Sequence, residues 1–270
     1  MRNLEAGVCA PGGFRAGGIW CGIKAGSRKR DLALIYSEKP CVAAAVFTTN
    51  RVQAAPVLVS REHLEGGSLR AVITNSGNAN ACTGEPGLAA ARRMAELAAG
   101  EFAINAKEVA VASTGIIGVP LPIAAIESSI SSLADSLRPD AAGHEAALEA
   151  IMTTDTRKKA GAVEVEIDGK AVRIGAMVKG SGMIHPNMGT MLCFITTDAV
   201  IRRELLDRAL RQAVGRSFNR VTVDGDTSTN DTVLIMANGE AGNAPIDAEG
   251  PGYALFAGAL EALCIKLARA

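Results

Sequence analysis

The sequence predicts an α/β fold, and three observations predict it. Short apolar runs bounded by turn residues recur along the chain, as at Asp31 to Tyr36, Arg70 to Asn75 and Thr232 to Ala237, with the composition of buried strands. Longer stretches with apolar residues at helical spacing lie among them, as at Leu88 to Phe102 and Arg202 to Ser217. Nearly half of the residues, 48% of 270, are apolar, enough to bury one large core or two smaller ones.

Taken in order, the opening segment around Gly12-Gly13 and Gly17-Gly18 is glycine-rich but follows no predicted strand and opens no helix, so a dinucleotide-binding reading fails its context test. Asp31 to Tyr36 and Cys41 to Thr48 flank a Ser-Glu-Lys-Pro turn and predict a hairpin. Pro56 to Ser60 and Arg70 to Asn75 predict further strands. Asn75-Ser76-Gly77-Asn78-Ala79-Asn80 is a dense turn, or equally the polar wall of a pocket. An alanine-rich helix from Leu88 to Phe102 precedes a short strand, Glu108 to Ala112, which runs into Ser113-Thr114-Gly115. Small residues at a strand end can leave backbone N–H groups pointing at an anion, although a plain strand-to-helix turn has the same composition. Helices at Pro122 to Leu133 and Ala142 to Met152 lead into Thr153-Thr154-Asp155-Thr156. Ala162 to Ile167 and Ala171 to Val178 flank an Asp-Gly turn and predict a hairpin that delivers Lys179 into the next loop. A lysine there is a surface residue in the ordinary case, or a point charge for an amino-acid carboxylate. A C-terminal helix covers Tyr253 to Ala270.

That next loop, Lys179 to Gly189, is polar and glycine-loosened; at Thr190 it changes into an apolar strand-like run. A small residue directly before a hydroxyl is what self-cleavage needs. The Thr190 hydroxyl attacks the Gly189 carbonyl, the amide becomes an ester, and water releases a new amino terminus at Thr190. Its α-amine, with a reference pKa of about 7.7 to 8.0, can then accept the hydroxyl proton and make Thr190 a nucleophile. An ordinary Gly-Pro-Asn turn before a strand is the competing reading.

Composition excludes other classes. Twenty-eight basic and 28 acidic residues cancel, and aromatic residues are 3% of the chain, so there is neither a phosphate-tracking charge nor a stacking platform for nucleic acid. Met1 to Val8 does not read as a signal peptide, and no stretch is expected to span a membrane, which predicts a cytoplasmic chain. The six cysteines form no C-x-x-C pair and predict reduced, mainly buried thiols with no metal site. Asp224 to Asp231 invites a calcium-loop reading that fails, because its glycine position is Thr229 and its closing glutamate position is Ile235.

The run from Lys179 to Leu192 closely resembles the cleavage-site signature of the ArgJ family, the ornithine acetyltransferases or glutamate N-acetyltransferases, with Gly189 where the family usually has alanine. Phe47-Thr48-Thr49-Asn50, Asn75 to Asn80, Ser113-Thr114-Gly115 and Thr222 to Asp231 resemble further family motifs. The resemblance implies an ArgJ/DmpA-like layered α-β-β-α sandwich with mixed sheets. It also implies cleavage at Gly189/Thr190 into residues 1–189 and 190–270, assembled as an α2β2 heterotetramer. Thr190 would be the nucleophile, Thr114 and Gly115 the oxyanion hole, and Lys179 and Thr153 substrate-binding residues, with Thr154 or Thr156 as alternatives to Thr153. His185 is a loop residue. The implied reaction moves acetyl from N2-acetyl-L-ornithine to L-glutamate without a cofactor, acetyl-CoA being a possible second donor. Family members continue past the point matching Ala270, into a segment with a substrate-contacting glutamate, so a truncated remnant stays open as a reading. So does an aminopeptidase or amidase of related fold.

Overall fold

The computed structural model describes residues 1–180, 191–221 and 227–270. Gly189, Thr190 and His185, with the Thr222 to Asp226 part of the acidic motif, lie outside the described residues. The described strands are β1 (Arg2–Leu4), β2 (Phe14–Ile19), β3 (Leu32–Phe47), β4 (Ser68–Asn78), β5 (Val109–Ile116), β6 (Lys159–Ile167), β7 (Lys170–Lys179), β8 (Leu192–Thr197) and β9 (Thr232–Ala237). The helices are α1 (Ala55–Glu65), α2 (Gly84–Glu101), α3 (Ile123–Glu127), α4 (Ile130–Asp135), α5 (Ala141–Ile151), α6 (Arg203–Arg216) and α7 (Pro251–Ala268).

The strands form one hydrogen-bonded sheet in the order β1-β6-β7-β8-β9-β3-β4-β5, with β2 also on β3. Neighbours are antiparallel except β4/β5 and β8/β9, so the sheet is mixed. Side-chain alternation shows how it layers. Met177, Phe194, Leu234 and Met236 from one half share a cluster with Ile35, Leu69, Val72 and Ala112 from the other, so the two halves face one another across β3. The opposite face of β6 to β9 carries Ile174, Cys193, Ile195 and Val233 beneath α6 and α7. The opposite face of β3 to β5 carries Leu34, Ile73 and Val111 beneath α1, α2 and the short helices α3 and α4. The expected order of helix, strand, strand and helix layers is therefore present, built from a single continuous sheet. Each fully buried Leu, Ile or Phe in these layers contributes roughly 1.5–3 kcal/mol.

Four elements differ from the sequence reading. The predicted hairpin at Asp31 to Thr48 is one long strand, β3, whose pairing with β4 shifts register between Tyr36 and Cys41. The Ser-Glu-Lys-Pro segment is an irregularity within that strand, where Pro40 lacks the ladder N–H. Pro56 to Ser60 is the start of α1: Pro56 occupies its first turn, and Pro56, Val57, Ser60, His63 and Leu64 are buried at helical spacing. The glycine-rich opening contains β1 and β2, which had no strand signature. Finally, α7 is long and apolar enough by itself to cross a membrane, contrary to the expectation that no stretch is. Its Phe256, Leu260, Leu263 and Leu267 are buried against the sheet and α6, which makes it a core helix here.

The Asp-Gly turn between β6 and β7 has the predicted form, with positive φ at Asp168 and Gly169. Of the six cysteines, four are buried, Cys21 is half-buried and Cys82 is exposed.

Candidate active site

Two strand ends from opposite layers meet at the site. β7 finishes at Lys179, and β5 carries Thr114 and Gly115 near its end. Lys179 is 3% exposed. Its Nζ donates to Thr114 Oγ1 and to Thr153 Oγ1, each at 3.0 Å, and its third N–H has no partner among the described residues. Burial pushes the ammonium below the ordinary lysine range, while Asp155 and then Asp231 oppose that shift. Because Lys179 fills a lone pair on each threonine oxygen, each hydroxyl proton is left to point elsewhere. A hydroxyl polarised in this way is a stronger donor.

Asp155 shapes the loop that presents Thr153. One carboxylate oxygen accepts the Thr153 N–H at 3.1 Å and the other the Gly180 N–H at 2.7 Å, which ties the ends of α5 and β7 together. The structure thus brings Thr153, of the three candidate threonines, into direct contact with Lys179. Lys159 donates to the Gly180 carbonyl alongside.

On the β5 side the backbone is forced into an unusual shape. Gly115 has φ +140°, and a Cβ there would sit 2.3 Å from the Gly77 carbonyl carbon. β4 and β5 run parallel with Ser76 opposite Thr114 and Gly77 opposite Gly115, and Asn78 pairs with both Thr114 and Ile116. The asparagine motif, read from sequence as a turn or pocket wall, acts through structure. Asn75 Oδ1 accepts from Ser113 Oγ at 2.5 Å, and Asn78 Nδ2 donates to the carbonyls of Val119 and Pro120 at 3.1 and 3.2 Å. These bonds clamp the loop that follows Thr114 and Gly115.

The third part lies in the Thr222 to Asp231 motif, where the sequence reading assigned no role to Asp231 itself. Met191, the residue after Thr190, is held at both backbone groups: its N–H donates to Asp231 Oδ1 at 2.9 Å, and its carbonyl accepts from the Thr232 N–H at 3.1 Å. Asp231 is fully buried, and burial raises its pKa to about 7, with the Met191 amide, then a hydrogen bond from the Ser228 side chain, then the Lys179 charge opposing. The Phe47-Thr48-Thr49-Asn50 motif supports this loop from β3. Thr48 Oγ1 donates to the Ser228 carbonyl at 2.7 Å and Asn50 Nδ2 to the Thr227 carbonyl at 3.1 Å.

A cleft of about 620 Å³ opens beside Thr153 and Asp155, with Lys24, Arg28, Lys29 and Lys158 on its wall. A larger hollow of about 700 Å³ has Cys82 and Arg93 as its ionisable lining, so the polar chemistry lies in the smaller one. Among the described residues no group of three or more His, Cys, Asp or Glu side chains is placed to hold a metal.

The ArgJ family model matches residues 15–270. The arginine biosynthesis bifunctional protein ArgJ of Symbiobacterium thermophilum is 54% identical over 270 residues, covering 100% of this chain and 67% of that protein. The chain spans about two thirds of the length of the curated relatives it matches. Among solved structures, an ornithine acetyltransferase from Mycobacterium tuberculosis, crystallised with ornithine, is 42% identical with a TM-score of 0.64, over 71% of this chain and 99% of that one. The L-aminopeptidase D-Ala-esterase/amidase of Ochrobactrum anthropi, described as a variant of the Ntn-hydrolase fold, covers 99% of this chain at 13% identity with a TM-score of 0.56, a likeness of fold alone. By the extent of the family match and by identity to its relatives, this chain belongs to the ArgJ family.

Proposed function

We propose that the chain is a self-processing acetyltransferase of arginine biosynthesis that moves acetyl from N2-acetyl-L-ornithine to L-glutamate through Thr190. The observation that carries the reading is the Lys179 ammonium bonded to the hydroxyls of Thr114 and Thr153, one peptide from the loop that leads to Thr190. The relatives' names supply the pathway and the acyl chemistry. The cytoplasmic location, the absence of a cofactor and the α2β2 assembly belong to the same reading.

In processing, Thr190 Oγ1 bonds to the Gly189 carbonyl carbon, the C–N bond breaks, and the hydroxyl proton passes to the departing nitrogen. Water then hydrolyses the ester, leaving a carboxylate on Gly189 and an amine on Thr190. In transfer, the amine takes the hydroxyl proton while Oγ1 attacks the acetyl carbonyl of acetylornithine. The Thr114 hydroxyl and the Gly115 N–H stabilise the oxyanion. Ornithine leaves with the proton, and the glutamate amine repeats the attack on acetyl-Thr190. Lys179 keeps the Thr114 and Thr153 hydroxyls aimed, and the basic wall of the neighbouring cleft favours substrates carrying carboxylates.

Incubating the processed protein with N2-acetylornithine alone is expected to add one acetyl group to the fragment starting at Thr190, seen by intact mass spectrometry, and glutamate should discharge it. Release of acetate to water with no transfer to glutamate would instead favour the amidase reading. Lys179→Met is expected to slow acetylation about 10²- to 10³-fold, the usual effect of losing one oxyanion-stabilising element, while thermal unfolding shows a folded protein. An unchanged acetylation rate in that variant would remove Lys179 from the mechanism.

A further inference from the structure

Lys24 lies on the wall of the cleft beside Thr153, and its ammonium is committed to the protein's own backbone. It belongs to the loop of residues 20–31 that joins β2 to β3. That loop is folded around the carboxylate of Asp31, which is fully buried. Asp31 Oδ1 accepts the Cys21 N–H at 2.7 Å, and Oδ2 accepts the N–H groups of Gly22 at 3.2 Å and Lys24 at 3.0 Å. Three backbone bonds to one carboxylate fix the point from which the Lys24 side chain starts.

From there the side chain touches both halves of the site. Its stem crosses Gly77: a Cβ on that glycine, at φ +101°, would sit 2.9 Å from Lys24 Cγ and 3.2 Å from its Cα and N. Gly77 stands opposite Gly115 in the β4/β5 register. The Lys24 Nζ donates to the Arg30 carbonyl at 2.7 Å, which closes the loop on itself, and to the Met152 carbonyl at 2.8 Å. Met152 caps the C-terminus of α5 and directly precedes Thr153. A cation there satisfies a carbonyl that no further helical turn can reach, and the helix dipole favours its charge. Ser76 Oγ donates to the Ala150 carbonyl alongside, so the end of α5 is docked on the strand that carries Gly77. Burial lowers the Lys24 ammonium from the ordinary lysine range; Asp31 opposes that shift, and Lys29 and then Lys179 add to it.

We propose that Lys24 is a positioning residue of the site: held by Asp31 and packed on Gly77, it draws in the Met152 carbonyl and so sets the separation of Thr153 from the strand end carrying Thr114 and Gly115. The proposal deepens the acetyl-transfer reading above and rests on it. Lys179 bonds both threonine hydroxyls at 3.0 Å, which requires them to stand at a fixed separation. Asp155 ties Thr153 to Gly180 on the β7 side, and Lys24 ties it to β4 and β5 on the other. Without the Lys24 ammonium, residues 152–156 are free to draw away from Thr114. The hold on substrate suffers first, because Thr153 is the substrate-binding hydroxyl in that reading while the oxyanion donors stay on β5.

The test uses the full 270-residue chain. Lys24→Met keeps a stem over Gly77 and removes the ammonium. Two readouts are compared with wild type: amide hydrogen exchange followed residue by residue, and steady-state transfer with N2-acetylornithine varied at fixed glutamate. Lys24→Met is expected to speed exchange at the Thr153 amide about tenfold while β3 and β9 are unchanged, and to raise KM for N2-acetylornithine about tenfold with kcat within about threefold. Lys24→Arg, which keeps a cation with donors for both carbonyls, should return both readouts to within about threefold of wild type. Lys24→Gln, neutral and one atom shorter, is read in the same way if the methionine variant does not fold. A lysine that only stabilises the fold would give faster exchange across the whole sheet and a lower kcat with KM unchanged, and that pattern overturns the proposal. Unchanged exchange at Thr153 with unchanged KM overturns it too, and leaves the acetyl-transfer reading standing. A wild type that transfers no acetyl group overturns that reading, and exchange at Thr153 then decides by itself whether Lys24 positions the threonine.

Discussion

Thr190→Ala is expected to leave the protein as a single polypeptide of 270 residues under conditions where, on the proposed function, wild type would separate into fragments of 189 and 81 residues. The expected effect is complete, because the substitution removes the oxygen that attacks Gly189 and, with it, the only route to the amine that would serve as base. Thr190→Ser should still split, since the hydroxyl persists, although the lost methyl frees an additional rotamer and slows the reaction. Thr190→Cys separates chemistry from geometry in the same assay: its thiol can make the acyl shift, giving a thioester in place of an ester. Denaturing gels report splitting, and mass spectrometry assigns the new terminus. Chain separation that persists in Thr190→Ala would assign the break to another bond or a contaminating protease, and the nucleophile assignment would fall with it.

The structure explains why some parts of this site were legible in sequence and others were not. Lys179 and the Ser-Thr-Gly segment are local signals, short runs whose chemistry is carried by adjacent residues, whereas the Gly-Thr junction lies outside the described residues. The Asp-Gly hairpin was legible for the same reason, because the positive φ angles it needs are properties of those two residues. By contrast, Asp231 gains its importance from Met191, 40 residues earlier. Its segment, Thr222 to Asp231, reads in sequence as a family motif and a pocket-forming polar turn, with no role for Asp231 itself. The Thr48 and Asn50 side chains that brace this loop come from about 180 residues away, across the β3/β9 pairing. No spacing within the sequence announces such a contact. The misread elements have a related cause. Five residues at Pro56 to Ser60 cannot separate a buried helix start from a strand, and the decisive His63 and Leu64 lie beyond that window. At Ser37 to Pro40 a proline beside polar residues has the composition of a hairpin turn, whereas pairing to β4 and β9 on either side keeps the chain running as one strand.

Gly115→Ala is expected to damage fold and site together, and a second glycine shows why. The added Cβ at position 115 would lie 2.3 Å from the Gly77 carbonyl carbon, 2.5 Å from the Asn78 nitrogen and 2.6 Å from the Gly77 oxygen, all backbone atoms of the parallel partner strand. Neither partner can move aside as a flexible side chain could, because Ala79 donates across to the Ile116 carbonyl at 2.9 Å and Asn78 is bound to Val119 and Pro120. Strain at a positive φ costs roughly 1–3 kcal/mol and overpacking about as much again, so a loss on the order of 3–5 kcal/mol is expected in urea unfolding. Gly118 shares the conformational problem, with φ +78°, but a Cβ there meets nothing within 4 Å. Gly118→Ala should therefore cost only the torsional part, about 1 kcal/mol, and should still split its chain. The difference between the two variants isolates the close approach of β4 and β5. That approach sets where the Thr114 hydroxyl and the Gly115 N–H point, so on the proposed function Gly115→Ala should also slow acetyl transfer by at least about 10²-fold even where it remains folded. Equal stability and equal acetyl transfer in the two alanine variants would mean that the packing of these strands does not constrain the backbone proposed to bind the oxyanion.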